Sequence, residues 1–351
     1  MRRVSGRETM VVERRIRTME ELAEASGVSR PTISKYFNEP GSVRLSTRAR
    51  IEAAIERHGF RPNIFAINQN RRLTKTVGVI VPYLADPFFA EIARRIERRL
   101  IDEGYWPILF SAHGQTTLEI DALETLRSLK PAGALIAPLG RDSDLDAIRA
   151  FCDDVPTVLF DSDLDAGAAF IGSDNFQSIG LIVDYLCRTG EPPSFFEMPP
   201  VNPNAETRCE AYVRAMERLG HDPDVIHVAG RGWDFEEVGF SEGRRVLADR
   251  SRASDTILCS NDRLAIGLLA AAHDRGLRVG RGAGYALRIA GHDDHPFSRY
   301  TCPPLTTVSQ DYAAIAEQSV GTLFALLEAG DGWGPRATTL NEGRLVMRGS
   351  A

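Results

Sequence analysis

The chain has 351 residues, of which 43% are hydrophobic and 26% charged. This composition excludes a disordered or membrane-embedded polypeptide and favours two or three globular domains. The net charge of −6 is unevenly divided, because residues 1–76 carry 16 Lys and Arg against 8 Asp and Glu, whereas residues 77–351 carry 26 against 40. A basic head of this kind attracts polyanions, and an acidic body resists lying flat on them.

The first 17 residues lack the continuous apolar core of a secretory leader. The longest apolar run, residues 264–272, is far shorter than the ~20 residues that span a bilayer. The five cysteines are scattered and form no CxxC pair, as expected for thiols in a reducing compartment. We therefore expect a cytoplasmic protein that does not engage a membrane.

Residues 18–38, TMEELAEASGVSRPTISKYFN, have the pattern of two short helices joined by a tight turn. Thr18 and Glu21 can form a capping box, and Gly27 can supply the left-handed conformation of the turn. Ser29 is expected to cap the second helix, with Pro31 tolerated in its first turn. Taken alone, the segment could also be an ordinary helical hairpin with solvated charges. As a helix-turn-helix, it would place its second helix in a DNA major groove. The residues expected at the DNA surface are Thr18, Ser29, Arg30, Pro31, Thr32, Ser34, Lys35 and Asn38.

A third helix is predicted to begin at Ser46 and to bury Ala49, Ile51, Ala53 and Ile55. With the stretches LAEASGVSRPTIS and TRARIEAAIERHGFRPN, the chain resembles the lactose/galactose repressor (LacI/GalR) family of bacterial transcription factors. The resemblance continues to the C-terminus. It implies a homodimeric repressor that binds palindromic double-stranded operator DNA. It also implies that residues 61–76 fold on DNA, where Asn63 is a further contact. Gln69 holds the position of the minor-groove wedge, which is usually a leucine, so another apolar side chain could kink the DNA instead.

From residue 77 onward, apolar strands alternate with amphipathic helices in two successive sets. Strands are predicted at 77–81, 106–110, 134–137 and 157–160, and later near residues 225, 257 and 289. Helices are predicted at 88–101, 118–129, 176–188, 205–219, 237–249 and 264–275. Repeated βα units predict parallel sheets covered by helices on both faces.

The predicted fold class is an N-terminal all-α helix-turn-helix domain followed by an α/β bilobed body. The resemblance implies the type I periplasmic-binding-protein fold for that body. The expected domains are a disordered basic extension (1–17), the DNA-binding domain (18–60), a hinge (61–76) and the effector-binding and dimerisation domain (77–351).

Ligands bind such sheets beyond the carboxyl ends of the strands, here between the two lobes. Asp86, Phe88 and Phe89 follow the first strand, and a carboxylate beside an aromatic face suits a sugar; the alternative is that both Phe residues belong to the core at a helix start. Arg141 and Asp142 hold an equivalent position after the third strand. The resemblance adds Arg208, one aromatic that is either Trp233 or Phe235, Asn261 (which could instead only cap a helix), Asp293 and Gln310. Nearly all of these side chains bind hydroxyls, so we expect a small polar effector, a sugar or a sugar derivative, and no cofactor.

Two other classes of function compete with this hypothesis. The run His292-Asp293-Asp294-His295 contains metal-ligand types and would suit a metal-dependent hydrolase. Consecutive residues point in different directions, however, so we expect neither a metal site nor a catalytic residue. A transport-associated sugar receptor would share the bilobed fold, but it would carry a signal peptide and no helix-turn-helix.

Overall fold

A computed structural model of the chain describes residues 16–38, 40–61, 74–230, 232–248, 253–330 and 337–351. The chain divides into two compact units, Met1–Thr74 and Lys75–Ala351. The predicted DNA contacts Asn63 and Gln69 lie outside the described residues.

Within its described residues, the first unit has the helices α1 (Met19–Ser26), α2 (Arg30–Asn38) and α3 (Leu45–His58), with a short 3₁₀ turn at Pro40–Ser42. The predicted capping box is present, because Thr18 Oγ1 accepts from the Glu21 N–H at 3.1 Å and Glu21 Oε2 accepts from the Thr18 N–H at 3.2 Å. Gly27, at φ 62°, makes the left-handed turn between α1 and α2. The helices enclose a small apolar core of Leu22, Val28, Ile33, Ile51, Ala54 and Phe60.

Two details predicted for the third helix are wrong. It begins at Leu45 rather than Ser46, and Ala49 and Ala53 are exposed. At 100° per residue, Ala49 and Ala53 lie on the side of the helix opposite Ile51, whereas Ala54 shares its face. The buried stripe is therefore the one that contains Ile51 and Ala54.

In the second unit, the first lobe is built on a parallel sheet of six strands in the order β11-β5-β4-β3-β1-β2. Its strands are β1 (Thr76–Val81), β2 (Trp106–Ser111), β3 (Gly133–Ile136), β4 (Thr157–Phe160), β5 (Ala169–Ser173) and β11 (Thr338–Asn341). Its helices are α4 (Pro87–Asp102), α5 (Thr116–Ser128), α6 (Leu145–Asp154) and α11 (Tyr312–Ala329). Val79 and Ile80 are neighbours on the interior strand β1 and face opposite sides of the sheet, and both are fully buried, as expected for a sheet covered on both faces.

The second lobe has a parallel sheet of four strands in the order β7-β6-β8-β9. These are β6 (Ser194–Phe196), β7 (Val225–Ile226), β8 (Thr256–Cys259) and β9 (Arg288–Ala290). The helices of this lobe are α7 (Asn175–Thr189), α8 (Pro203–Arg218), α9 (Phe235–Ala248) and α10 (Asp262–Asp274). An antiparallel pair, β10 (Thr307–Ser309) with β12 (Arg344–Val346), lies where the chain passes between the lobes.

The predicted fold class is thus confirmed: an all-α helix-turn-helix unit and a bilobed α/β unit with parallel sheets. The chain passes between the lobes near residues 173–175, 309–312 and 341–344, so the two sheets share three connections. Such connections allow the lobes to open and close as bodies. No helix within the described ranges has the length and apolar character needed to cross a bilayer.

Candidate functional site

In the helix-turn-helix unit, α2 presents most of the residues predicted to touch DNA. Ser29, Arg30 and Pro31 are exposed at the start of this helix and Lys35 in its last turn, while the intervening Ile33 is fully buried in the three-helix core. Thr32 and Ser34 are half-buried, Thr18 is exposed at the N-cap of α1, and Asn38 is the last residue of α2. The helix therefore has a buried apolar side and an exposed polar side, as a recognition helix requires.

Arg30 forms an ion pair with an acidic side chain on the preceding helix. Its Nε lies 2.5 Å from Glu20 Oε1, and both side chains are more than half exposed. An exposed pair of this kind contributes little to stability, because solvent screens the two charges. Arg30 can therefore exchange Glu20 for a nucleic-acid acceptor at low cost.

In the bilobed unit, one cleft between the lobes gathers most of the predicted effector residues. Its predicted members are Asp86, Phe88, Phe89, Arg208, Trp233, Phe235, Asn261, Asp293 and Gln310. Five further side chains that were not predicted also line it: Asp161, Met198, Asn202, Asn204 and Arg263.

The carboxyl ends of parallel strands supply many of these side chains. Asp161 directly follows β4, and Asn261 follows β8 by two residues. Asp86 follows β1 and caps α4, because its Oδ1 accepts from the Phe88 N–H at 2.9 Å. The rule that ligands bind beyond strand ends would have identified Asp161 as well, since it applies equally to the fourth strand.

Arg208 lies on α8 and is held on three sides by its own lobe. Its Nε donates to Asn175 Oδ1 at 3.0 Å, its Nη1 to the Ser260 carbonyl at 2.8 Å, and its Nη2 to Asp293 Oδ1 at 2.9 Å. Both members of the Arg208–Asp293 pair are buried, with side-chain exposures of 5% and 14%. This arginine therefore fixes the orientation of Asp293 in the cleft.

Asp293 is the centre of the polar network. Gln310 Nε2 donates to its Oδ1 at 2.5 Å, and the Tyr312 hydroxyl donates to its carbonyl at 2.6 Å. Burial alone would raise the pKa of Asp293, but Arg208, His292 and Gln310 outweigh burial and lower that pKa below its ordinary value. Asp293 is consequently an ionised acceptor directed at the cleft.

The aromatic residues form a continuous wall. The ring centroids of Phe89 and Trp233 lie 6.0 Å apart, and those of Trp233 and Phe235 lie 5.8 Å apart. Phe88 and Phe89 are almost fully buried and also pack in the core of the first lobe. The sequence left Trp233 and Phe235 as alternatives, and the structure places both rings in the wall.

Two predicted effector residues lie away from the cleft. Arg141 is exposed and pairs with Glu206 at 2.9 Å, and the Asp142 carbonyl accepts from Thr116 Oγ1 at 2.6 Å. The cause is Gly140, whose φ of 101° turns the loop so that the Arg141 N–H donates to the Val201 carbonyl at 3.2 Å. Arg141 and Asp142 are thus not among the residues that line the cleft.

The run His292–His295 is dispersed over separate partners. His292 contacts Asp293 Oδ1 through Nδ1 at 3.0 Å, Asp294 pairs with Arg348 at 2.6 Å, and the His295 backbone N–H donates to Asp262 Oδ2 at 2.8 Å. Among the residues that the structure describes, no group of three or more His, Cys, Asp or Glu is placed to hold a metal ion.

A Ser–His–Asp chain is present in this region, since Ser178 Oγ lies 2.8 Å from His292 Nε2 while Nδ1 of the same ring meets Asp293. Ser178 and His292 are fully buried, so a substrate cannot reach the serine. Burial, and secondarily Arg208, lowers the pKa of His292 to about 4, so the ring is neutral at pH 7. The chain orients Asp293 and does not form a nucleophilic site.

Asp161 gives the cleft a pH-dependent carboxyl. Burial raises its pKa to about 7, against the lowering effect of Arg208. Because the folded state then binds more protons than the unfolded state between about pH 4 and 7, the contribution of Asp161 to stability falls as pH rises through that window and stays low above it.

We expect Asp161→Asn to raise the free energy of unfolding relative to wild type by a few kcal/mol at pH 8, and by progressively less towards pH 4. Asn tolerates the left-handed backbone of this position (φ 65°) and can still accept from Asn204. Urea unfolding of both proteins from pH 5 to pH 8 measures the difference. A difference that does not change with pH contradicts the assigned titration.

Comparisons with known proteins agree with both units. The profile described as "Bacterial regulatory proteins, lacI family" matches residues 18–63, and that described as "Periplasmic binding protein-like domain" matches residues 173–351, half of the chain. The ribose operon repressor of Escherichia coli K12 is 28% identical over 310 residues, covering 88% of this chain and 92% of that protein. The transcriptional repressor CytR of the same organism is 29% identical over 337 residues, covering 95% and 96%.

Solved structures show the same architecture. The lac repressor dimer bound to operator and the anti-inducer ONPF superposes with a TM-score of 0.81 at 24% identity, covering 95% of this chain and 98% of that chain. The regulator CelR in complex with cellobiose gives a TM-score of 0.66 at 22% identity, covering 95% and 99%. The chain therefore belongs to the lacI family of bacterial regulatory proteins, DNA-binding transcriptional regulators that join a helix-turn-helix to a periplasmic-binding-protein-like domain.

Proposed function

We propose that this protein is a homodimeric repressor whose affinity for a palindromic operator is set by a small polar effector, a sugar or sugar derivative, bound between the two lobes. The observation that carries this proposal is the convergence of carboxylates, amides and an aromatic wall on the single cleft described above. Relatives named as repressors of a ribose operon support the same assignment.

The charges of the cleft favour a neutral effector. Arg208 is balanced by Asp293 and Arg263 by Asp86, so neither guanidinium is available to an anion without breaking a buried pair. Asp161 and the Asn202 Oδ1 offer acceptors, and the latter has no partner among the described residues. The hydroxyl groups of a sugar can donate to these acceptors while the apolar face of the sugar ring packs against the aromatic wall.

Regulation follows if the effector binds one arrangement of the lobes more tightly than another. Under this proposal the effector changes lobe closure, and closure changes the hinge segments that precede the body. The coupling free energy in such systems is typically about 1–3 kcal/mol. We assign the DNA-binding domain to residues 18–60, the hinge to 61–76 and the effector and dimerisation domain to 77–351, with 1–17 as an extension.

Within the DNA-binding domain, Arg30 and Lys35 are proposed to reach base edges, because they are exposed on the recognition helix. Thr18, Ser29, Thr32, Ser34 and Asn38 are proposed to hold the backbone of the operator, and Pro31 to make an apolar contact. Asn63 and Gln69 are proposed to act from the hinge.

The first lobe has a surface that suits a second copy of the chain. The edge strand β2 exposes Trp106 (62%) and Leu109 (42%), and the adjoining loop exposes Leu84 (38%). Large apolar side chains gathered on one edge mark an interaction surface, and twofold pairing places the same patch on both copies. We assign this edge to the dimer interface.

We expect Leu109→Glu to shift the protein from dimer to monomer in analytical ultracentrifugation, because two carboxylates would be buried in a twofold interface. Leu340→Glu is the matched control, since Leu340 is comparably exposed (52%) on β11, the opposite edge of the same sheet. A Leu109→Glu protein that stays dimeric removes this edge from the interface.

The proposal is tested by selecting bound sequences from random double-stranded DNA with the full-length protein. Enrichment of a palindrome is the expected result, and no enrichment above random DNA contradicts sequence-specific binding. A thermal-shift panel of pentoses, hexoses and polyols identifies the effector, because a ligand at 100 times its Kd stabilises its binding domain by about 2.7 kcal/mol.

A further inference from the structure

A buried ion pair joins the two lobes across the cleft. Arg263, in the first turn of α10 in the second lobe, donates from Nη1 to Oδ2 of Asp86 in the first lobe at 2.9 Å. The side chains of Arg263 and Asp86 are only 8% and 7% exposed. The pair is therefore made only when the lobes are closed.

The arginine is held ready for this contact by its own lobe. Arg263 donates from Nε to Glu236 Oε1 at 2.7 Å and from Nη2 to Glu236 Oε2 at 2.5 Å. Its guanidinium carbon lies 5.0 Å from the centroid of the Phe235 ring. Because Glu236 and Phe235 belong to the same lobe as Arg263, the guanidinium keeps its orientation when the lobes separate. Only the contact with Asp86 is lost on opening.

On the opposite side, Asp86 depends on Arg263. Burial raises the pKa of Asp86 above its ordinary value, and Arg263 offsets only part of that effect, so loss of the guanidinium would disfavour the charged carboxylate in the closed cleft still more. A buried carboxylate that loses its counter-ion destabilises the arrangement that buries it. In this protein that arrangement is the closed pair of lobes.

We propose that Arg263 is a positioning residue of the effector site, a built-in counter-ion for Asp86 that draws the two lobes together before any effector is bound. This role of Arg263 rests on the proposed function, because it treats the cleft between the lobes as the effector site. It implies that part of the closure energy comes from the protein itself, so that the effector shifts an equilibrium already biased towards closure.

Trp233 reports closure directly, because it stands on the second lobe and contacts the first. Its ring lies 6.0 Å from that of Phe89, and a Cβ added at Gly114 would lie 2.8 Å from Trp233 Cδ1. The chain has three tryptophans, so the substitutions Trp106→Phe and Trp333→Phe leave Trp233 as the single emitter. Its emission maximum and its quenching by acrylamide then follow cleft opening in the full-length, effector-free protein.

In that background, we expect Asp86→Asn and Arg263→Gln each to shift Trp233 emission to the red and to increase quenching. Asn retains the helix-capping role of Asp86, so Asp86→Asn keeps the test sound even if Arg263→Gln lowers stability. The variant that carries both substitutions should open the cleft no further than the more disruptive single substitution does. The two effects on the closing equilibrium constant are then non-additive, and we expect the coupling between them to be roughly 2- to 150-fold.

The control is a second ion pair between the lobes, Arg141–Glu206, whose side chains are 61% and 68% exposed. Glu206→Gln should leave Trp233 emission unchanged, since exposed pairs contribute little. Additive effects of Asp86→Asn and Arg263→Gln, unchanged emission in both, or an equal effect of Glu206→Gln would overturn the proposal. Operator binding and the sugar panel are measured separately. A protein with the expected coupling but no sugar response would therefore support the role of the Arg263–Asp86 pair and contradict only the effector assignment.

Discussion

Arg208→Ala is expected to lower the free energy of unfolding of the bilobed unit by about 3–5 kcal/mol, because it leaves Asp293 buried without its counter-ion. The same change should abolish the response of operator binding to effector, since Asp293 would lose its fixed orientation. Urea unfolding and operator titrations with and without effector measure the two effects. Arg208→Ala with wild-type stability contradicts the assigned network.

Two further variants separate the network from general damage to α8. Arg218 also lies on α8, and Arg218→Ala removes its solvent-exposed ion pair with Asp184 of α7, which should cost about 0–1 kcal/mol. Adding Asp293→Asn to Arg208→Ala should recover part of the lost stability, because the unpaired charge disappears, while the effector response stays absent. Full recovery of the response would remove both residues from the effector site.

Arg30→Ala is expected to weaken binding to the selected operator by about 1–3 kcal/mol, consistent with loss of a bidentate base contact. Binding to random DNA should weaken much less. Fluorescence anisotropy on both DNAs, at one salt concentration, gives the comparison. Equal losses on the two DNAs would make Arg30 a phosphate contact and contradict its role in base recognition.

Glu20→Gln is the informative counterpart, because Glu20 holds Arg30 in the free protein. Glu20→Gln removes the carboxylate, which releases Arg30 and reduces repulsion from the phosphates, so operator affinity should rise slightly. Weaker operator binding would show instead that Glu20 positions Arg30 for the DNA.

The sequence predicted the architecture well because its signals are local. The capping box, Gly27 and the apolar spacing around Ile33 specify the helix-turn-helix within about 20 residues. The apolar runs at 77–81 and 157–160 are typical of buried strands and are too short for helices. Short strands such as Ser194–Phe196 were missed, because three residues carry no period.

The cleft was predicted less completely, since its geometry depends on contacts between distant segments. Arg263 is separated from Asp86 by 177 positions, and nothing in the sequence around Arg263 indicates that pairing. Arg141 was expected in the cleft from its place after a strand, but the positive φ of Gly140 redirects the loop. The closure contacts are thus tertiary properties, whereas Asp86 could be found from its place after a strand and Asp293 was implied by the family resemblance.

Control of operator affinity from the cleft is tested most directly by titrating the selected operator with wild type and with Asn202→Ala, with and without the sugar identified in the thermal-shift panel, at a single salt concentration. Asn202 lines the cleft, and its Oδ1 has no partner within the described part of the chain, so its removal should leave the fold intact. We expect the sugar to change wild-type operator affinity by roughly 5- to 150-fold, and Asn202→Ala to need a higher sugar concentration for the same change. A sugar that binds the cleft and leaves operator affinity unchanged would contradict this account.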